Sequence, residues 1–522
     1  MLAAFLRTTG FRVYQSASLF ALLRLGVVLT VLLGLARPAL AQDAPAAADT
    51  TQSRAYVEAD SLSATTIDGE RVQELIGNVF VRQDSTELRS EQAFRYLNRD
   101  EFLFLRSVEI VEGPDTLHAD TVRYERSNDL GFAFGNVRLT DGDVAVRSSE
   151  AIYFVDERRT VFEEAVELRD STAVLRSSRG VYRSPARRAD FAGDVTLEDP
   201  DAWLEADSLS YYRDRRRSEA FGSVFIDRAP RAEARATADE ANTRTWLFGE
   251  TAVNDESTRQ SDVRGRALMV QVQTDSLGTP RDTLIVRANQ LLGARTDTLR
   301  TVTAIDSVQV WQDNLAATAD SLVYQRTVPP DTATTPPREV SRLFGAPNAW
   351  FETSQIHGDT LRTVVRRRQI DSLYVFGNAF AAQQDTTLQR INQLRGGRIT
   401  AGFRRGDLRS IRAAPTAETI RFVAENGALS QAARASGDAI VIEFDTARTL
   451  RRVRILRGTQ STLYEPHLIP SPFELDGFRW TPGARPRSES LLRDPRYRRR
   501  IESGWSLDEP RPLTRTEPPP GR

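Results

Sequence analysis

The chain has 522 residues, with 70 basic and 71 acidic side chains and a formal charge of -1. It holds three histidines and no cysteine, and every basic residue is an arginine. These counts exclude disulfides, thiolate nucleophiles and cysteine-bound metal; they leave little for histidine chemistry and argue against a nucleic-acid partner, which needs a basic surface.

Residues 1–41 carry four arginines and no acid, an apolar run from Leu25 to Ala36, and Ala39-Leu40-Ala41 before Gln42. This reads as a secretory signal peptide, its apolar run being too short to span a bilayer. Whether the segment is cleaved stays open. The expected location is the periplasm, with association to either membrane left open. Residues 42–54 read as a linker.

A repeat organises the first half of the chain. The pieces Gly77-Asn78-Val79-Phe80-Val81, Gly135-Asn136-Val137-Arg138-Leu139 and Gly193-Asp194-Val195-Thr196-Leu197 place valine at a step of 29, a step kept by Val79, Val108, Val137, Val166, Val195 and Val224. A second register, Leu88, Leu117, Val146, Leu175 and Leu204, keeps the same step, each followed two positions later by serine or alanine. Period-2 alternation of branched residues with polar ones predicts half-buried strands, two per repeat. In the second element the apolar parity slips by one, which predicts a strand that bends at the small residue. The expected inward row is Val79, Val81, Val108, Ile110, Val137, Leu139, Val166, Leu168, Val195, Leu197, Val224 and Ile226. Such units cannot bury their apolar faces alone and must stack. From the residues, two walls either close as a dry core or stay apart as a trough for a long apolar ligand.

Repeat module 1 is expected over 55–255, with an irregular connection at 256–283. Strand signals resume from Leu284 and continue to 465 as module 2, interrupted by a Pro-rich insert at 328–338. Beyond Pro466 proline and arginine accumulate, and residues 466–522 read as a largely disordered tail.

The Gly-Asn-Val-x-Leu and Leu-x-Ala-Asp-Ser-Leu units resemble the organic-solvent-tolerance, lipopolysaccharide-transport family (OstA, LptA-like), most clearly over 55–255. The second half resembles the longer OstA-like proteins of Bacteroidetes-type lineages through Ala319-Asp320-Ser321-Leu322, Pro347-Asn348-Ala349-Trp350, His357-Gly358-Asp359-Thr360-Leu361 and Asn392-Gln393-Leu394-Arg395-Gly396-Gly397-Arg398-Ile399-Thr400-Ala401. It departs at Ala413-Ala414-Pro415-Thr416-Ala417-Glu418, where Gly-Asn-Val is expected. The resemblance implies an all-β fold, an elongated repeat β-jellyroll (a V-shaped "taco") in two consecutive modules, whose trough binds the acyl chains of lipid A. It implies lipopolysaccharide as ligand, and end-to-end strand addition to other Lpt-type jellyroll proteins or to itself as a bridge between membranes. The outer-membrane insertion complex is a further partner it admits.

Asp60, Asp120, Asp207 and Asp320 recur after alanine and are expected to accept backbone N–H groups at the bend rather than to hold a metal. Trp203, Trp246, Trp311 and Trp350 read as packing anchors or as caps on acyl chains, and His118 as an exposed strand side chain. No catalytic set, cofactor or metal site assembles from this sequence, so the chain is not expected to be an enzyme. The alternatives to a lipid bridge are a structural β-solenoid or adhesin-like repeat protein with a dry core, and a carbohydrate-active β-helix enzyme, which would need clustered carboxylates on one exposed face.

Overall fold

The computed structural model describes residues 56–497 apart from short segments, the longest being 229–242 and 328–337. The signal peptide, the linker, nearly all of the Pro-rich insert and the last residues of the tail lie outside the described residues. The all-β expectation holds: among the described residues thirty-two strands account for the fold, and helix is confined to short turns such as Ser488–Leu491. The chain divides into two compact units. One runs to Val224 and includes Val253–Ser257; the other takes Phe225–Ala252 and everything from Thr258 on.

In the N-terminal unit the strands form an antiparallel meander with two strands per repeat. Glu101–Glu112 pairs with Asp115–Glu125, which pairs with Leu130–Thr140, which pairs with Ala145–Phe154. Each pairing skips register in its middle, between Leu105 and Val108, His118 and Thr121, and Phe134 and Val137. At the skip one strand of each pair carries two successive residues in the left-handed region. These are Gly77-Asn78, Arg106-Ser107, Gly135-Asn136, Glu164-Ala165, Gly193-Asp194 and Gly222-Ser223. The pairs recur at the repeat step, and two of the six contain no glycine. The bend is therefore imposed by the ladder, because a residue other than glycine, asparagine or aspartate enters this region only at a cost of about 1–2 kcal/mol.

Where glycine is present it has a steric reason beyond φ. A Cβ on Gly77, Gly135 or Gly222 would run into the carboxylate of Asp60, Asp120 or Asp207. Asn78 Nδ2 donates to Asp60 at 3.0 Å, and Asn136 Nδ2 to Asp120 at 2.8 Å. The expected partner of these aspartates was the backbone. The carboxylates of Asp60 and Asp120 instead take an asparagine side chain across the bend, while the backbone N–H of Asp60 donates to the Gly77 carbonyl. Gly135→Ala is expected to cost about 1–3 kcal/mol. In Asp120→Ala the same change should cost less, because the collision is gone; urea denaturation of the double-mutant cycle measures the difference.

In the C-terminal unit the stretch expected to be an irregular connection is a long hairpin. Gln260–Thr274 pairs with Pro280–Arg295, again with a register skip, between Arg264 and Ala267. Its polar residues mislead because one end is an exposed turn and the Gly265-Arg266 pair is a left-handed bend. At the departure from the repeat the strand breaks: Asp407–Ala414 ends, Thr416 is left-handed, and Ala417–Glu425 begins on a fully buried alanine. The larger difference is the tail. Residues 466–495, expected to lack order, lie packed on this unit. Leu475, Leu491 and Tyr497 are nearly fully buried, and the Tyr497 hydroxyl donates to the Arg266 carbonyl at 3.1 Å.

Candidate functional site

In the N-terminal unit the bend divides every strand between two walls. The valine wall holds most of the expected inward row. At the bend, Val79, Val108, Val137, Val166 and Val195 lie opposite Ser90, Ala119, Ser148, Ser177 and Ala206. Large faces small across each pair, so the corner stays tightly packed. Those five valines are 1% exposed. One step out, Val81, Leu88, Ile110, Leu117, Leu139, Val146, Leu168, Leu175, Leu197 and Leu204 pair in one unbroken row. All are buried except Leu197, which is half-buried. Val224 is buried at the end of the bend row, and Ile226 is buried but grouped with the other unit.

The facing wall is not among the residues expected from sequence. Nearest the bend, Phe104, Val122, Ala133, Ala151, Phe162, Gly180, Phe191 and Leu209 are register partners. Farther out, Phe102, Tyr124, Gly131, Tyr153, Thr160, Tyr182, Ala189 and Tyr211 form a second row, in which tyrosine alternates with a small residue. A sequence signal for it exists. The four tyrosines keep the repeat step, and the parity slip puts them on the inward face.

The two walls meet. Ile110, Leu117 and Leu139 from one, with Val122, Ala133, Ala151, Tyr153 and Phe162 from the other, line a cavity of about 40 Å³. One water needs roughly 10–15 Å³ of such space, so this gap takes a few waters rather than a 12-carbon acyl chain. Where the walls meet, the lining is mainly apolar and the gap between them is narrow. Tyr124 makes its polar contact at the rim, where its hydroxyl donates to Asp129 at 3.1 Å; burial and this carboxylate push its phenol pKa up.

Outside, the valine wall presents charges of both signs. Arg89 pairs with Glu109 at 3.4 Å and Arg176 with Glu167 at 3.0 Å, and His118 stands beside Glu109 with its side chain 46% exposed. Among the described residues no group of three or more His, Cys, Asp or Glu is placed to hold a metal. Of the tryptophans, Trp246 and Trp350 are buried, and Trp203 donates its indole N–H to Glu205 at 2.8 Å.

In the C-terminal unit a different face is built. On Gln369–Asp385 the inward residues after the bend include Ala379, so Phe380 and Ala382 point outward, yet they are 2% exposed. The tail covers them. Phe380, Ala382, Ile420, Phe422, Ala432 and Leu475 form one cluster, with Phe473, Phe478 and Trp480 packed on it. His357 stacks on Phe380 with ring centroids 5.1 Å apart, and its Nδ1 lies 3.4 Å from Arg479 of the tail. Burial, with Arg479 adding to it, pulls the His357 pKa down to about 4.

Compared with known families, residues 53–207 match the family described as OstA-like protein. No curated protein matches the chain.

Proposed function

We propose that this chain, OstA-like over residues 53–207, is a non-enzymatic periplasmic carrier of lipopolysaccharide that shields lipid A acyl chains between the valine and aromatic walls. The match supports a lipopolysaccharide-transport-related role at the level of the family. The finer reading is supported chiefly by one observation: two continuous apolar walls that face each other across a hinge-like column of left-handed residues. Burial of a CH₂ yields ~0.8 kcal/mol, so a 12-carbon chain offers on the order of 10 kcal/mol gross. Part of that is offset by the cost of separating the two walls when the interior opens. The row of like residues has no single deep pocket, so a bound chain would slide along it.

End-to-end stacking with other Lpt-type jellyroll proteins is part of the proposal. The strand Ser61–Ile67 is exposed along its length, with Leu62 68% exposed, and Leu450–Leu456 pairs, among the described residues, with Ala439–Phe444 alone. Exposed strand edges are templates for strand addition.

The narrow gap between the walls favours one second reading, a structural repeat protein with a dry core. Photo-crosslinking residues at positions 137 and 166, activated in cells, separate the two. Lipopolysaccharide adducts are expected at both. Crosslinks to protein alone, with glycolipid abundant in the same envelope, would remove the carrier reading.

A further inference from the structure

We infer that the outward face of the C-terminal unit's post-bend wall is a peptide-binding site, and that residues 469–481 of the chain are a separable ligand resident in it. Alternation puts Gln355, Ala382, Gln393 and Ile420 in one outward row across four neighbouring strands. The equivalent row of the N-terminal unit is Arg82, Glu87, Val111, Thr116, Thr140 and Ala145, charged, polar or small apart from Val111 and nowhere fully buried. Here the row is apolar but for two glutamines, and these are 0% and 4% exposed.

Both glutamines do the same thing. Gln393 Oε1 accepts the Leu475 backbone N–H at 2.8 Å, while its Nε2 donates to the Phe473 carbonyl at 3.3 Å. Gln355 Oε1 accepts the Thr481 N–H at 2.8 Å, while its Nε2 donates to the Arg479 carbonyl at 3.2 Å. Each amide therefore takes the C=O of residue i and the N–H of residue i+2, the groups an extended segment offers to a neighbouring strand. Residues 473–481 themselves belong to no strand. Two side chains stand in for a ladder, six residues apart along the ligand. A segment held only as core would need the apolar packing and not a repeated main-chain clamp.

Side-chain pockets add selectivity to the clamps. Phe473 meets Phe422 and Tyr464 edge-on, with centroids at 6.0 and 5.2 Å, and Phe478 packs against Phe380 at 6.0 Å. Arg395, held by Glu418 at 3.2 Å, reaches both the carbonyl and the carboxylate of Asp476, each at 3.1 Å. The ligand class is thus a peptide of the pattern Phe-x-Leu-Asp-Gly-Phe-x-Trp that turns at Asp476-Gly477 between its two clamped pairs, read at its main chain by Gln355 and Gln393 and at its acid by Arg395.

The test uses the full chain with a protease site inserted in the exposed segment at His467–Leu468. After cleavage, a fluorescently labelled peptide of residues 469–498 is added and exchange is followed by anisotropy. The labelled peptide should replace the resident segment saturably while the body keeps its circular dichroism, and a scrambled peptide should not. Gln355→Leu or Gln393→Leu should each weaken binding by roughly tenfold, as expected for two lost hydrogen bonds. Peptide Asp476→Arg should also bind more weakly. Unfolding of the body on loss of the segment would overturn the inference, as would a segment that never exchanges, or binding indifferent to both glutamines.

Discussion

Val137→Asp is expected to unfold the N-terminal unit. The side chain is 1% exposed, sits at the bend opposite Ser148, and has no cationic group among its inward neighbours in the valine row. Burying an unpaired carboxylate costs several kcal/mol, against a total stability of about 5–15 kcal/mol for a domain. The next residue supplies the control. Arg138 points outward, and Arg138→Asp should change stability by no more than about 1 kcal/mol. Urea denaturation followed by circular dichroism compares the two. A Val137→Asp protein that melts like the native chain would mean that this corner is open to water in solution.

The second large effect is a loss of stability in acid, centred on His357. Its folded-state pKa of about 4 lies below the ordinary 6.5, so the folded protein holds this imidazole neutral while the unfolded chain binds the proton. The unfolded state therefore carries more protons between those values, and stability falls as pH drops through 6.5 towards 4. Linkage puts the loss at about 2 kcal/mol by pH 5 and about 3 kcal/mol by pH 4. Cation repulsion from Arg479 contributes in the same direction. His357→Gln should flatten the stability profile of the C-terminal unit between about pH 7 and 5, read from tryptophan fluorescence in denaturant. Equal slopes in both proteins would show that the loss comes from other groups.

Much of the first unit is legible in sequence because repetition multiplies a weak signal. One Val-x-Val says little, but a row of them at one spacing fixes which face of every strand turns inward, and the valine wall follows. The aromatic wall is harder to read even though its tyrosines recur. Pairing them with Gly131, Thr160 and Ala189 needs the register across the bend, which the left-handed pairs decide. Most of the bend is readable from glycine and asparagine. Arg106-Ser107 and Glu164-Ala165 are not, since nothing in their chemistry announces that conformation.

The tail misleads for the opposite reason. Proline and arginine usually mark solvated chain, and residues 466–495 contain both. The signal that they are docked lies elsewhere, on the strands beneath. Phe380 stands at an outward position where the first unit has Glu109 and Arg138, Ile420 and Phe422 are outward beside it, and an apolar outward face in a strand implies a cover. Composition read along the tail cannot reveal this; alternation read on the partner surface can.

The left-handed pair sits on every second strand, and the polar side chain that faces it, Asp60, Asp120, Ser178 or Asp207 where glycine leads the pair, sits on the strand between. Growth of such a chain is therefore quantised. Adding or deleting one strand would reverse the direction of everything after it and set one bend against another. Only steps of two strands, 29 residues, leave each corner matched. Length variants of this architecture should differ by whole hairpins, so its reach is counted in units of about two strand spacings, close to ~10 Å.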